Sequence, residues 1–203
     1  MSPRLVLATR NAGKVVELRR ILAAVGSEVE LLGAEDLPGL PDVAETGRTF
    51  ADNALLKART IAAHTGLPAI ADDSGLRVEA LNGMPGIFSA RWAGRHGDDE
   101  ANLRLLLAQI SDLPDDARAA SFVCAAALAL PDGRDAVVEG VLAGRLVREP
   151  RGSGGFGYDP IFVPDAETAD RTTAELEPDE KDAISHRGRA LRALAPTIRE
   201  LVG

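Results

Sequence analysis

Apolar runs and their spacing divide the chain into strands and helices in a largely alternating order. Leu5–Ala8 is a short, continuous apolar run, the pattern of a buried strand. Polar Thr9–Lys14 follows, then Val15, Leu18, Leu22 and Val25 at helical spacing with a stop at Gly26. Glu28–Leu32 reads as a second strand and Asp36–Val43, with Pro38, Gly39 and Pro41, as a loop. Thr49, with Asp52 three positions on, resembles a capping box for a helix over Ala54–Ala63 that ends near Gly66.

Next, the apolar run Leu67–Ala71 meets Asp72, Asp73, Ser74 and Gly75. This reads as a strand whose end carries two carboxylates, and Leu76–Leu81 as a separate strand after it. Asp98–Ile110 is a helix with Leu103, Leu106, Leu107 and Ile110 inward. Ala119–Leu130 and Ala136–Val147 form a hairpin about the turn Pro131–Arg134, and both are long enough to be shared by two lobes of one sheet. Residues 165–182 hold eight acids against two bases, the composition of a solvated helical face. Leu191, Leu194, Ile198 and Leu201 mark a final helix bent near Pro196.

Composition narrows the picture. At 203 residues the chain reads as one domain, with length enough for two lobes. Apolar residues make up 45% but aromatics only 3%, so the core is aliphatic and each ring is worth a question. A net charge of −8 argues against a nucleic-acid partner, which calls for a basic face. Cys124, the sole cysteine, lies inside an apolar run and reads as a structural thiol; the lack of a second suits a reducing compartment. The opening residues are too short an apolar segment for a signal peptide, and no run approaches the ~20 residues of a membrane span. The expectation is a soluble, cytoplasmic protein with no membrane partner.

Three segments carry candidate chemistry. Thr9, Arg10, Asn11, Ala12, Gly13 and Lys14 join a strand to a helix N-terminus, either an ordinary turn or a phosphate site, but not a Walker A loop because Val15 follows Lys14. Asp72 and Asp73 repel one another unless a proton or cation separates them; the stretch is either a solvated turn or a site for a hard cation such as Mg²⁺. Glu45 either joins that pair or is solvated. Asn53 and Lys57 share a helix face. Arg151–Phe162 matches G-x-G-x-x-G, yet Pro160 stands where a helix would begin, so the dinucleotide reading fails. A glycine-rich loop with Phe156, Tyr158 and Phe162 remains, suited to packing or to stacking on a planar base. His186 lacks a second histidine at zinc-ligand spacing.

Seven motifs in order resemble the non-canonical purine nucleoside triphosphate pyrophosphatases, the Ham1-like ITP/XTP house-cleaning enzymes. They are Thr9-x-Asn-x-x-Lys14, Glu45-Thr-Gly-x-Thr-Phe50, Ala71-Asp-Asp-Ser-Gly75, Gly83-x-Pro-Gly86 with Ser89-Ala-Arg91, Gly154-Gly-Phe-Gly-Tyr-Asp-Pro160, Glu180-Lys181 and Ser185-His-Arg-Gly188. The resemblance implies a mixed α/β fold with an elongated central sheet flanked by helices, two lobes with a cleft, and a homodimer. It also implies Mg²⁺-dependent hydrolysis of a nucleoside triphosphate to monophosphate and pyrophosphate. By position, Thr9 to Lys14 would cradle the triphosphate with Lys57 beside them. Asp73 would be general base and metal ligand, supported by Asp72 and Glu45, with Ser74 on the substrate. Phe156 would stack on the base beside Gly157, Tyr158 and Asp159, and Lys181, His186 and Arg187 would hold the base and sugar side. One departure is Ala44, where many relatives carry a second acid before Thr-Gly.

Two other readings stay open at this point. A Maf-type pyrophosphatase acting on pyrimidine or modified nucleotides would show Ser-x-Ser-Pro-Arg after the first strand, where this chain has Thr-Arg-Asn-Ala-Gly-Lys. A non-catalytic nucleotide-binding regulator would not need Lys14, Asp72 and Asp73.

Overall fold

Leu5, Val6 and Leu7 lose all solvent contact on β1 (Arg4–Leu7), a strand paired on both edges, with Leu5 and Leu7 packed into an aliphatic core. It runs parallel to β2 (Glu30–Leu32) and to β3 (Ala69–Val78), with Leu5 opposite Leu31 and Leu7 opposite Ile70. A parallel strand buried on both faces needs an unbroken apolar run, which is what the sequence supplies there. The computed structural model describes residues 3–9, 11–24 and 29–202. Arg10, the predicted helix stop at Val25–Gly26 and the predicted strand start at Glu28 lie outside them.

The chain divides into two compact units, residues 1–73, 124–140 and 187–203 in the first and 74–123 and 141–186 in the second. In the first unit, α1 (Ala12–Ala24) and α5 (His186–Leu201) contribute Leu18, Leu22, Leu191, Leu194 and Ile198 to an aliphatic core with β1 and β3. Helix α2 (Phe50–Thr65) starts and stops as its residues dictate. The Thr49 hydroxyl accepts from Asp52 N–H at 3.0 Å, the Asp52 carboxylate accepts from Thr49 N–H at 3.1 Å, and Gly66 ends the helix in the left-handed conformation.

In the second unit, the continuation of β3 pairs antiparallel with β4 (Met84–Pro85). Strands β5 (Ala119–Ala129) and β6 (Asp135–Leu146) belong partly to each unit, and the predicted turn joins them within the first, closed by a 2.9 Å bond from Leu130 N–H to Arg134 O. The far end of β6 pairs antiparallel with β7 (Phe162–Pro164). The sheet order is β2-β1-β3-β5-β6-β7, with β4 on β3. Leu103, Leu106 and Ile110, on or just after α3 (Asp99–Gln109), pack with Leu76, Phe122, Leu146 and Phe162. The fold is mixed α/β, as expected.

Two expectations need correction. Asp72–Gly75 does not end a strand: β3 runs unbroken for ten residues, and no second strand starts at Leu76. Gly75 serves close approach rather than a turn, since a Cβ there would collide with Ser89 Oγ and the Gly86 carbonyl. Residues 165–177 are not helical either; helix α4 is Pro178–Ile184, opened by a proline in its first turn, the position proline tolerates.

Candidate active site

Within β3, successive side chains leave opposite faces, so Asp72 and Asp73 do not compete for one position. Both are buried, at 1% and 6% exposure. The Asp72 carboxylate sits 3.0 Å from Lys14 Nζ and accepts at 3.2–3.3 Å from the Arg187 guanidinium, which also donates to Glu17. Burial alone would raise the Asp72 pKa, but Lys14 and Arg187 overcome it and hold the carboxyl far below its usual range. Burial likewise opposes the charge on Arg187, and Asp72 and Glu17 hold it protonated.

Asp73 has different company. Its Oδ2 accepts from Asn53 Nδ2 at 3.0 Å and its Oδ1 lies 3.6 Å from Lys57 Nζ. Lys57 also donates to Glu45 Oε1 at 2.9 Å, so Asp73 and Glu45 converge on one ammonium. Burial, with Glu45 nearby, raises the Asp73 pKa despite Lys57. Burial lowers the Lys57 pKa, but Asp73, Asp72 and Glu45 outweigh it and the net shift is upward. Helix α2 sets this geometry, because Asn53 and Lys57 stand one turn apart. Asn53 is itself fixed: its Oδ1 accepts from Gly47 N–H at 2.7 Å. Sequence reading placed Asn53 on the right face without giving it a role, and missed Glu17 altogether, since a carboxylate within an amphipathic helix carries no local signal.

At the start of α1, Asn11 Oδ1 accepts from Lys14 N–H at 3.1 Å and Thr9 Oγ1 from Asn11 N–H at 3.3 Å. Asn11 thus caps the helix whose exposed first turn includes Gly13. Among the described residues of the first unit, Asp72, Asp73, Glu45 and Glu17 face Lys14, Lys57 and Arg187. Four carboxylates against three cations leave one formal negative charge.

The second unit holds the remaining candidates. Half-buried Ser74 follows Asp73 along β3. In the glycine-rich loop, Phe156 N–H donates to Asp159 Oδ2 at 2.8 Å, Gly157 N–H to Asp99 Oδ2 at 2.8 Å, and Tyr158 OH to Ser89 O at 2.9 Å. Lys181 Nζ donates to Asp159 Oδ2 at 2.7 Å and lies 5.3 Å from the centre of the Phe156 ring, within cation–π range. His186 stacks on Phe122 with ring centres 4.9 Å apart. Arg187, expected on the base and sugar side, is 2% exposed and donates to both Asp72 and Glu17 in the first unit.

A sequence model described as the Ham1 family matches residues 5–197. The chain belongs to the Ham1 family. It is 66% identical over 200 residues to a dITP/XTP pyrophosphatase of Streptomyces coelicolor, covering 98% of this chain and 99% of the relative. Among solved structures, a nucleoside-triphosphatase (dITP/XTP pyrophosphatase) of Mycobacterium abscessus is 57% identical with a TM-score of 0.76, covering 95% of this chain and 99% of that one. A HAM1 protein of Coxiella burnetii is 43% identical with a TM-score of 0.86, covering 98% and all of the two chains.

No cluster of three or more His, Cys, Asp or Glu arranged for a metal occurs among the described residues of this Ham1 chain. A pair does. Mg²⁺ is commonly held by one or two carboxylates together with substrate phosphates, and Asp73 with Glu45 fits that need. Asp72 is already neutralised by Lys14 and Arg187.

Proposed function

We propose that this Ham1 protein hydrolyses dITP, ITP and XTP to the nucleoside monophosphate and pyrophosphate, removing these purines before they enter DNA or RNA. The observation that carries the proposal is the buried Asp73 carboxyl, oriented by Asn53 and set with Glu45 on a single ammonium. A carboxylate whose pKa is raised by burial is a better proton acceptor than a solvated one.

Water attacks the α-phosphorus, its proton passes to Asp73, and the bond from phosphorus to the bridging oxygen breaks to release pyrophosphate. Lys14, with Asn11, Ala12 and Gly13 at the start of α1 and with Thr9 and Arg10 preceding them in sequence, binds phosphate oxygens, as charge and unpaired N–H groups at a helix N-terminus favour. Lys57 keeps Asp73 and Glu45 together, and Ser74 donates to the substrate. Asp73 and Glu45 would hold a divalent metal, for which Mg²⁺ is the proposal; when bound it would neutralise charge developing on the phosphates. Asp72 and Arg187 position Lys14. In the second unit Phe156 stacks on the purine beside Gly157, Tyr158 and Asp159, while Lys181 and His186 provide donors for a 6-keto group, which adenine lacks.

The family match over 5–197 supports reading the chain as one pyrophosphatase domain. The earlier resemblance supports a cytoplasmic homodimer with a nucleotide as its small-molecule partner. No helix among the described residues is long and apolar enough to cross a membrane. A panel of nucleoside triphosphates with pyrophosphate detection, with and without Mg²⁺, tests the activity. Mg²⁺-dependent release from ITP, dITP and XTP with little from ATP is expected, and equal kcat/KM for ATP and ITP overturns the base assignment.

A further inference from the structure

Asp159 is buried to 3% and its two carboxylate oxygens are met from three directions. Phe156 N–H and Lys181 Nζ both donate to Oδ2, and the Thr173 hydroxyl, itself 2% exposed, lies 2.8 Å from Oδ1. The same hydroxyl is 3.1 Å from the Asp159 carbonyl, but a carboxylate is the stronger acceptor of its single proton. Around this bond, residues 172–174 grip the glycine-rich loop at both ends. Thr172 Oγ1 donates to Arg151 O at 2.8 Å, Gly154 N–H to Ala174 O at 2.9 Å, and Ala174 N–H to Asp159 O at 3.3 Å.

We propose that Thr173 is the positioning residue of base recognition: its buried hydroxyl sets the Asp159 carboxylate, and through it the Lys181 ammonium and the Phe156 backbone. This rests on the reading of Phe156 and Lys181 as the base-binding pair. Without the hydroxyl, the buried carboxylate loses one of three donors and can turn to make good the loss. Lys181 and the Phe156 ring then lose their fixed separation. The phosphate-binding residues belong to other elements, so the cost falls on binding of the base rather than on the chemical step.

Three variants test this: Thr173→Val, which keeps the shape, Thr173→Ala, which cannot overpack should Val fail to fold, and Thr173→Ser, which keeps the hydroxyl. For Val or Ala, KM for ITP should rise about tenfold, the loss expected for one hydrogen bond to a charged group, with kcat within about twofold. Ser should restore KM to within about twofold. Competitive inhibition by inorganic tripolyphosphate, which carries phosphates but no base, should be unchanged in all three. A wild-type KM in Val or Ala, failure of Ser to rescue, or an equal weakening of tripolyphosphate inhibition overturns the proposal. Wild-type protein that releases no pyrophosphate from ITP, dITP or XTP overturns the proposed function itself, and is read before any variant is made.

Discussion

Asp72 and Asp73 are consecutive residues of β3 whose carboxylates leave opposite faces of the strand, one toward Lys14 and Arg187, the other toward Asn53 and Lys57. Alternation along a strand therefore turns one acidic dipeptide into two separate devices. One is an ion-pair anchor; the other is the buried carboxyl that the proposed reaction uses as proton acceptor.

The two Asn substitutions should separate these roles. Asp73→Asn should reduce turnover at least about a hundredfold, within the range of a lost general base, while nucleotide binding partly survives. The isosteric amide keeps the shape and Lys57 keeps Glu45, so far-ultraviolet circular dichroism should show a folded variant. Asp72→Asn removes the carboxylate that Lys14 and Arg187 share, leaving Arg187 with Glu17 alone, and should cost about 3 kcal/mol in denaturant unfolding. Pyrophosphate release at the wild-type rate by Asp73→Asn defeats the assignment of the base.

Gly47 should tolerate no side chain. A Cβ there would stand 2.6 Å from Asp52 Cβ and 2.7 Å from Asn53 Oδ1, the atom that accepts from Gly47 N–H. Gly47→Ala should displace Asn53 from Asp73 and lower kcat, with destabilisation of about 1–3 kcal/mol from overpacking. Activity and urea midpoint measured together check it; an unaltered kcat sinks the idea.

Much of this arrangement was legible where local chemistry decides structure. The Thr49–Asp52 box, the Gly66 stop, the Pro131–Arg134 turn and the apolar run of β1 each follow from neighbouring residues. The misreadings came from distant contacts. Gly75 resembles a turn residue until Ser89 and Gly86, more than ten positions away, are seen pressed against it. The buried partners of Arg187 could not be read locally either, because Glu17 and Asp72 lie 170 and 115 residues away. The acid run 165–182 cannot be helical throughout when Asp170 takes a positive φ of 59°.

Tyr158 is the only tyrosine, so its ionisation can be followed directly by ultraviolet difference absorbance. Burial, and then Asp99, raise its pKa above the ordinary 10.0. The folded protein should show no tyrosinate at pH values where the urea-unfolded chain is half ionised. A group with a raised folded pKa lends stability that is fully present below the unfolded value and is lost as pH rises above it. Wild-type stability should accordingly decline above about pH 10. Tyr158→Phe should lack this tyrosine-linked part of the decline, from a lower starting point because Ser89 O loses its donor.

Cys124 should be inert in the native state. It is fully buried, and burial together with the nearby Asp72 pushes its thiol up to about 12. Thiolate is the reactive species, so a thiol reagent at pH 8 should label none of the native protein and one group per chain after denaturation. Rapid labelling of folded protein would contradict the burial.

Glu45 tests the proposed Mg²⁺ site most directly, because Ala44 gives it no acidic neighbour. Lys57 links it to Asp73, and Glu45→Gln keeps an acceptor for Lys57 while removing the charge. With one carboxylate instead of two, the Mg²⁺ concentration for half-maximal turnover should rise at least about tenfold, since even outer-shell substitutions cost about 10–100-fold in metal affinity. At saturating Mg²⁺, kcat should return toward wild type because Asp73 remains. A Mg²⁺ titration of turnover checks both limits. If the half-saturation point does not move, Glu45 serves Lys57 alone and the metal rests on Asp73 without it.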